Sequence, residues 1–193
     1  MLMNMSALIL ASSSPRRREL LARVGLDFRI EQPGVDEMVR SGESGETLAI
    51  RLAVAKARTV AAGTQAMVLA ADTVVLLDGR VLGKPTDVRE AGAMLSRLSG
   101  TEHRVVTGVA VVKAGKCYAD TASTRVWFRE LSGAEIEAYA GKQEALDAAG
   151  AYAVQGDAAS FVSRLSGSFS NVIGLPLALT IRLLGRAGAR DEY

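Results

Sequence analysis

Between Ser12 and Arg18 the chain reads Ser-Ser-Ser-Pro-Arg-Arg-Arg, after the apolar run "ALILA" and before the amphipathic stretch "ELLARVGL". Ser14 suits a helix N-cap and Pro15 the first helical position. Capping does not account for Arg16, Arg17 and Arg18, because cations near a helix N-terminus oppose its macrodipole by about 0.3–1 kcal/mol each. An anion reverses that penalty: backbone N–H groups, serine hydroxyls and guanidinium forks would converge on phosphate oxygens. The pattern points to phosphate binding as well as to capping.

Acids and lysines elsewhere extend this chemistry. Asp72 interrupts the apolar run "VLAADTVVLL", where a carboxylate is costly unless it is paired, bound to metal or protonated. It reads either as half of a salt bridge to a helix lysine or as a functional acid. Asp36 and Glu37 form an acidic pair in a loop. Lys56 sits among alanines in "AVAKARTV" and Lys84 follows Gly83 in "LGKPTD", so either reaches inward or snorkels. Cations that bind phosphate, together with carboxylates that bind hard divalent metals, are the ingredients of metal-dependent phosphoryl or nucleotidyl chemistry. Further along, "GAYAVQGDAASFVSRLSGSFSNVIGLPL" supplies Gln155 and Asn171 as candidate readers of a base edge, and Tyr152 or Phe169 as an apolar wall.

Other chemistries lack their parts. One histidine, His103, rules out a multi-histidine metal centre and reads as structural or supporting. No G-x-S-x-G elbow, Walker A sequence or G-x-G-x-x-G after a strand is present. The lone Cys117 forms no internal disulfide and reads as a structural thiol. A formal net charge of +2 does not indicate nucleic-acid binding. The N-terminus has no basic region of the signal-peptide kind, and no apolar run spans a bilayer, so a cytoplasmic protein without membrane contact is expected.

The elements that must position these residues are legible from periodicity. A buried strand at Ala7–Ala11 precedes a helix from Pro15 to Val24, and a second strand covers Phe28–Gln32. Ser44 or Glu46 opens a helix through "TLAIRLAVAKARTVAAG", with Leu48, Leu52, Ala55 and Val60 on its apolar side. "AMVLAADTVVLLDGRVLGKP" is a strand, an Asp78-Gly79 turn and a short returning strand. A helix spans Asp87–Leu98, burying Ala91, Met94, Leu95 and Leu98. Two long antiparallel strands meet at Ala114-Gly115. Ser132 and Glu135 form a capping box for a short helix. An irregular Gly-rich section then leads to a closing helix at Leu175–Leu184, with Pro176 in its first turn. Strands alternating with helices, plus hairpins, predict an α/β fold with a mixed sheet and flanking helices, one domain over residues 1–193, with two lobes around a cleft.

The segments "LASSSPRRRELL", "VDE", "AVAKA", "ADTVVLLDGRVLGKP", "AGAMLSRLSGTEHRVVTGVAV", "LSGAEIEAY", "AGAYAVQG" and "GSFSNVIGLPL" together resemble the Maf family of nucleoside triphosphate pyrophosphatases, linked to septum formation. The resemblance covers nearly the whole chain in family order. It implies an elongated fold similar to the inosine triphosphate pyrophosphatases. It also implies hydrolysis of a nucleoside triphosphate to the monophosphate and pyrophosphate with Mg²⁺ or Mn²⁺, and a homodimer. By resemblance, Ser13, Arg16 and Arg17 are triphosphate-site residues and Lys56 and Lys84 are phosphate-facing lysines. Asp72 matches the catalytic acid and a metal ligand, Asp36-Glu37 the family's glutamate region at the metal, and Gln155 a glutamine near the nucleotide. Thr73 and "YAVQG" are similar to the dTTP/UTP branch rather than the 7-methyl-GTP branch. Two departures stand out: Ala148, where the family often has lysine, and Asp157, where a basic residue often follows "QG". The alternative to catalysis is a nucleotide-binding regulator of division.

Overall fold

The structure is a computed structural model and describes residues 8–188. Ala7, at the head of the expected first strand, lies outside the described residues. Strand β1 (Leu8–Ala11) leads into helix α1 (Pro15–Arg23), and β2 (Phe28–Glu31) follows. A loop precedes α2 (Gly45–Ala61), and then come β3 (Met67–Leu77), β4 (Arg80–Leu82) and α3 (Val88–Leu98). The long hairpin is β5 (Glu102–Lys113) with β6 (Lys116–Phe128), and α4 (Gly133–Ala140) follows it. The Gly-rich section contains more order than its composition suggests: α5 (Gln143–Leu146), two short 3₁₀ turns, an edge strand β7 (Val162–Ser166) and α6 (Phe169–Ile173). Helix α7 (Leu177–Arg186) closes the fold and begins two residues later than expected, with Pro176 as its N-cap.

Side chains start the helices. Ser14, Ser44, Asp87 and Ser132 each accept the backbone N–H three residues on, and Glu135 returns the bond to the Ser132 N–H. Among the described residues no helix is long and apolar enough to cross a membrane.

The sheet runs in the order β2-β1-β3-β5-β6-β7, with β4 also paired to β3. Pairing is parallel among β2, β1 and β3 and antiparallel elsewhere, the mixed architecture expected. On one edge of β3, β1 pairs with Met67–Leu69 and β4 with Val75–Leu77. Residues 70–74 between them have no strand on that side, while β5 covers the other edge throughout. This gap lies at the carboxyl end of the parallel strand β1, where open α/β sheets form ligand crevices.

Alternation along β3 divides its side chains between two cores. Val68, Ala70, Val74 and Leu76 pack with α2, whereas Leu69, Ala71, Val75 and Leu77 join the larger core. Leu48, Leu52, Lys56 and Val60 recur every four residues along α2, and Ala49, Ala53 and Ala57 flank them. The buried stripe therefore runs over Ala53, Lys56 and Ala57, and Ala55, expected on it, is only half-buried. Small alanines let α2 lie close to the sheet. Gly108 on β5 lets it lie closer still, because a Cβ there would sit 2.3 Å from the Ala49 carbonyl oxygen.

Candidate active site

Asp72 occupies the middle of the uncovered edge of β3, on the face that α2 covers. Lys56, two turns into that helix beyond Leu48, donates from Nζ to Asp72 Oδ1 at 2.5 Å. The same ammonium lies 2.6 Å from Glu37 Oε1. Lys56 and Asp72 are each only 7% exposed, so theirs is a buried ion pair, which the exposed Glu37 meets from the surface side. Burial pushes the Asp72 carboxyl above its usual range, and the neighbouring Lys56 and Arg17 charges oppose that rise. Oδ2 of Asp72 accepts no hydrogen bond from the described residues.

Glu37 reaches Lys56 because its loop is stapled to α2. Arg51 donates from Nε and Nη2 to Glu43 at 2.6 and 2.8 Å, and from Nη2 to the Met38 carbonyl at 2.9 Å. The fork holds the Glu43 carboxyl down to about 2. Of the acidic pair, Glu37 is the member in the site. Asp36 accepts the Met38 N–H at 3.0 Å and does not line the cavity.

On the opposite face of β3, Thr73 meets α1. Arg17 donates from Nε to the Gly174 carbonyl at 2.8 Å, from Nη2 to Thr73 Oγ1 at 3.1 Å and from Nη1 to Ser12 Oγ at 3.4 Å. Desolvation lowers the guanidinium pKa, partly offset by Asp72. Thr107 donates to the Asn171 carbonyl, so the 2.9 Å Thr73–Thr107 contact takes its proton from Thr73. Arg17 is thus committed to the protein on three sides. Arg16 makes a single 3.3 Å bond to the Asp147 carbonyl, and Arg18 is exposed and does not line the cavity.

These groups open onto one cavity of ≈ 630 Å³, within the usual size for a small-molecule pocket. Ser13, Arg16, Arg17, Lys56, Asp72, Lys84, Glu37 and Gln155 all line it, so it gathers residues from Ser13 to Gly174. Leu48, Leu52, Val74 and Val81 give it an apolar flank. Gln155 is exposed and carries no hydrogen bond to the described residues. Its segment is tied in place: the Gly150 N–H donates to the Gly83 carbonyl at 2.9 Å and the Ala153 N–H to Tyr139 Oη at 3.1 Å. Gly150 has φ +71, and a Cβ there would sit 3.0 Å from Val75, which leaves the position to glycine.

Several expectations change. Asn171 is fully buried: it donates from Nδ2 to the Val105 carbonyl at 3.0 Å and to Thr124 Oγ1 at 2.9 Å, and does not line the cavity. It fastens the 168–174 turn to the sheet rather than reading a base. Phe169 also lies outside the cavity, whereas Tyr152 lines it, with its hydroxyl hydrogen-bonded to His103 Nε2 at 2.7 Å. His103 is the structural residue expected, and burial holds its imidazole down to about 4. Of the two departures, Ala148 lines the cavity, whereas Asp157 pairs with Lys142 outside it. Of the partners of Arg17, Ser12 and Thr73 stand in stretches the sequence singled out, whereas the Gly174 carbonyl carried no sequence signal.

Among the described residues no three or more His, Cys, Asp or Glu side chains gather into a metal cage. Asp72 and Glu37 still present hard oxygen donors around one cation, the Lys56 ammonium. That fits Mg²⁺, which binds through one or two carboxylates and completes its shell with water and substrate phosphates.

The profile described as Maf-like protein matches residues 7–187. A dTTP/UTP pyrophosphatase of Hahella chejuensis is 49% identical over 187 residues, 95% of this chain and 93% of that protein. Counterparts of the same name from Moorella thermoacetica and Myxococcus xanthus are each 51% identical, over 95% and 94% of this chain and 96% and 92% of theirs. A solved nucleoside-triphosphatase / dITP/XTP pyrophosphatase from Mycobacterium abscessus aligns at 20% identity and TM-score 0.45, over 63% of this chain and 74% of that one. With the profile spanning the described fold and half-identical relatives matching along almost their entire length, the chain belongs to the Maf family.

Proposed function

We propose that this chain hydrolyses a pyrimidine nucleoside triphosphate, dTTP or UTP, to the monophosphate and pyrophosphate. The observation that carries the reading is the cavity itself. It sets the buried Lys56–Asp72 pair, with the exposed Glu37 on the same ammonium, beside Ser13, Arg16 and Lys84. The pyrimidine assignment rests on the relatives named dTTP/UTP pyrophosphatase and on the free Gln155 amide, a bidentate donor and acceptor suited to a base edge.

Ser13, Arg16 and the α1 N-terminus hold the β- and γ-phosphates, and Lys84 faces them from the loop after β4. Asp72 aligns a water on the α-phosphorus and takes its proton through the unbonded Oδ2 as the new P–O bond forms. The bridging bond to the β-phosphate breaks, and pyrophosphate leaves with its charge held by the cations at the entrance. Asp72 and Glu37 would hold a divalent metal, which supplies charge neutralisation at the phosphates. Arg17 keeps Thr73 and the Gly174 turn in place and leaves direct phosphate contact to Arg16.

A panel of nucleotides with Mg²⁺ tests this. Pyrophosphate release from dTTP and UTP is expected, and Asp72→Asn should nearly abolish it while nucleotide still binds. Orthophosphate as the product removes the α-phosphorus assignment, and preference for 7-methyl-GTP removes the pyrimidine one. Binding without turnover would leave a nucleotide-binding protein in place of an enzyme.

A further inference from the structure

Lys56 is placed unusually for a lysine meant to meet phosphate. Its Nζ lies between two carboxylates, 2.5 Å from Asp72 Oδ1 and 2.6 Å from Glu37 Oε1. Those are the oxygens a divalent cation would use. We infer that Lys56 is a resident counter-ion that a divalent metal displaces, the ammonium moving from the carboxylate pair toward the polyphosphate as the metal takes its place. This rests on the proposed metal-dependent hydrolysis, and it assigns Lys56 two successive positions in that reaction.

Charge requires an exchange. Two carboxylates with one ammonium carry a net −1; adding a dication without moving Lys56 would put like charges within contact distance in a buried setting, where repulsion is weakly screened. The geometry permits it. Oδ2 of Asp72 is already unbonded although the residue is more than nine-tenths buried, so the carboxylate keeps its proton-accepting oxygen free while Oδ1 changes partner. Glu37 has a side chain 57% exposed and sits on a loop, which lets it follow the metal. Lys56 itself lines the cavity, and its four-carbon stem can swing the ammonium into it. Until metal and substrate arrive, the lysine keeps Asp72 from being left buried without a partner.

The consequence separates this role from simple phosphate binding. Removing the lysine should improve metal binding by the nucleotide-free protein while it impairs turnover. Mn²⁺ binding, read from the electron paramagnetic resonance of the free ion, should tighten by about tenfold or more in Lys56→Met relative to wild type, since the competing charge is gone. Unchanged or weaker Mn²⁺ binding by a folded variant overturns the inference. A second measurement uses the intact protein. The Lys56 ¹⁵Nζ resonance, shielded in the free protein by its two carboxylates, should shift or broaden on Mg²⁺ titration with the midpoint of Mg²⁺ binding. An ammonium signal unchanged through tens of millimolar Mg²⁺ also overturns it, whether or not Lys56→Met folds. Neither readout depends on hydrolysis, so a protein that released no pyrophosphate would lose the proposed function without deciding this exchange.

Discussion

Asp72 and Gly108 are paired across β3 and β5, and the missing side chain at one sets the partner of the other. A Cβ at Gly108 would lie 2.3 Å from the Ala49 carbonyl oxygen and 2.6 Å from the Ile50 nitrogen, both backbone atoms of α2. The helix therefore rests directly on the sheet beside Asp72, and Lys56, two turns further along, falls within bonding distance of the carboxylate. Gly108→Ala must push the helix off the strand. Overpacking of this kind costs about 1–3 kcal/mol or more. We expect a lower urea midpoint and a fall in kcat larger than any rise in KM; unchanged kcat in a destabilised variant would detach the helix contact from the chemistry.

Arg16 and Arg17 should separate in their effects. Arg17 holds Gly174, Thr73 and Ser12 together, so Arg17→Ala loses three hydrogen bonds and should cost about 1–3 kcal/mol of stability along with turnover. Arg16 has one long bond to a carbonyl, so Arg16→Ala should leave the melting temperature nearly unchanged and raise KM about tenfold or more. Thermal melts and steady-state kinetics on both variants decide it, and the reverse pattern would exchange their roles.

Gln155 and Asn171, both amides in the Gly-rich section, should also diverge. Gln155→Ala removes a free amide in the cavity and should reduce the preference for dTTP and UTP over purine triphosphates. Asn171→Ala removes a donor to the Val105 carbonyl and one of the two donors to Thr124 Oγ1, which should cost about 1–3 kcal/mol while the preference stays put. Relative kcat/KM across the nucleotide panel, beside a urea melt, distinguishes the two.

His103 should make the fold acid-sensitive. Its imidazole is held at about 4 by burial beneath Tyr152, against 6.5 for the free side chain. Between those values the unfolded chain binds a proton that the folded chain refuses, so stability falls as pH drops through this window. The difference amounts to ~3 kcal/mol. Urea midpoints at pH 7 and pH 4.5 should differ more in wild type than in His103→Phe; equal slopes would assign the acid sensitivity to other groups.

The sequence alone determined the parts whose signals are local. Hydrophobic periodicity and capping residues located α1, α2, α3 and α4, because a Ser or Asp that accepts the N–H three residues on acts within one turn. The turn pairs Asp78-Gly79 and Ala114-Gly115 located the hairpins, and the buried stripe of α3 followed from its spacing. Asp72 could be singled out because a carboxylate inside an apolar strand needs an explanation wherever the strand lies. Long-range placement was not legible in the same way. Edge strand β7 lacks strong alternation and is defined by its pairing with β6. Glu37 rather than Asp36 enters the site because Arg51 on α2 grips Glu43 and the Met38 carbonyl, contacts across a loop that spacing does not encode. Asn171 has the residue type of a base reader, yet the packing of its turn on β5 and β6 buries it. Residue types and spacing named the cations and acids; only the tertiary structure, by leaving residues 70–74 of β3 uncovered and laying α2 against Gly108, decided which of them share one cavity.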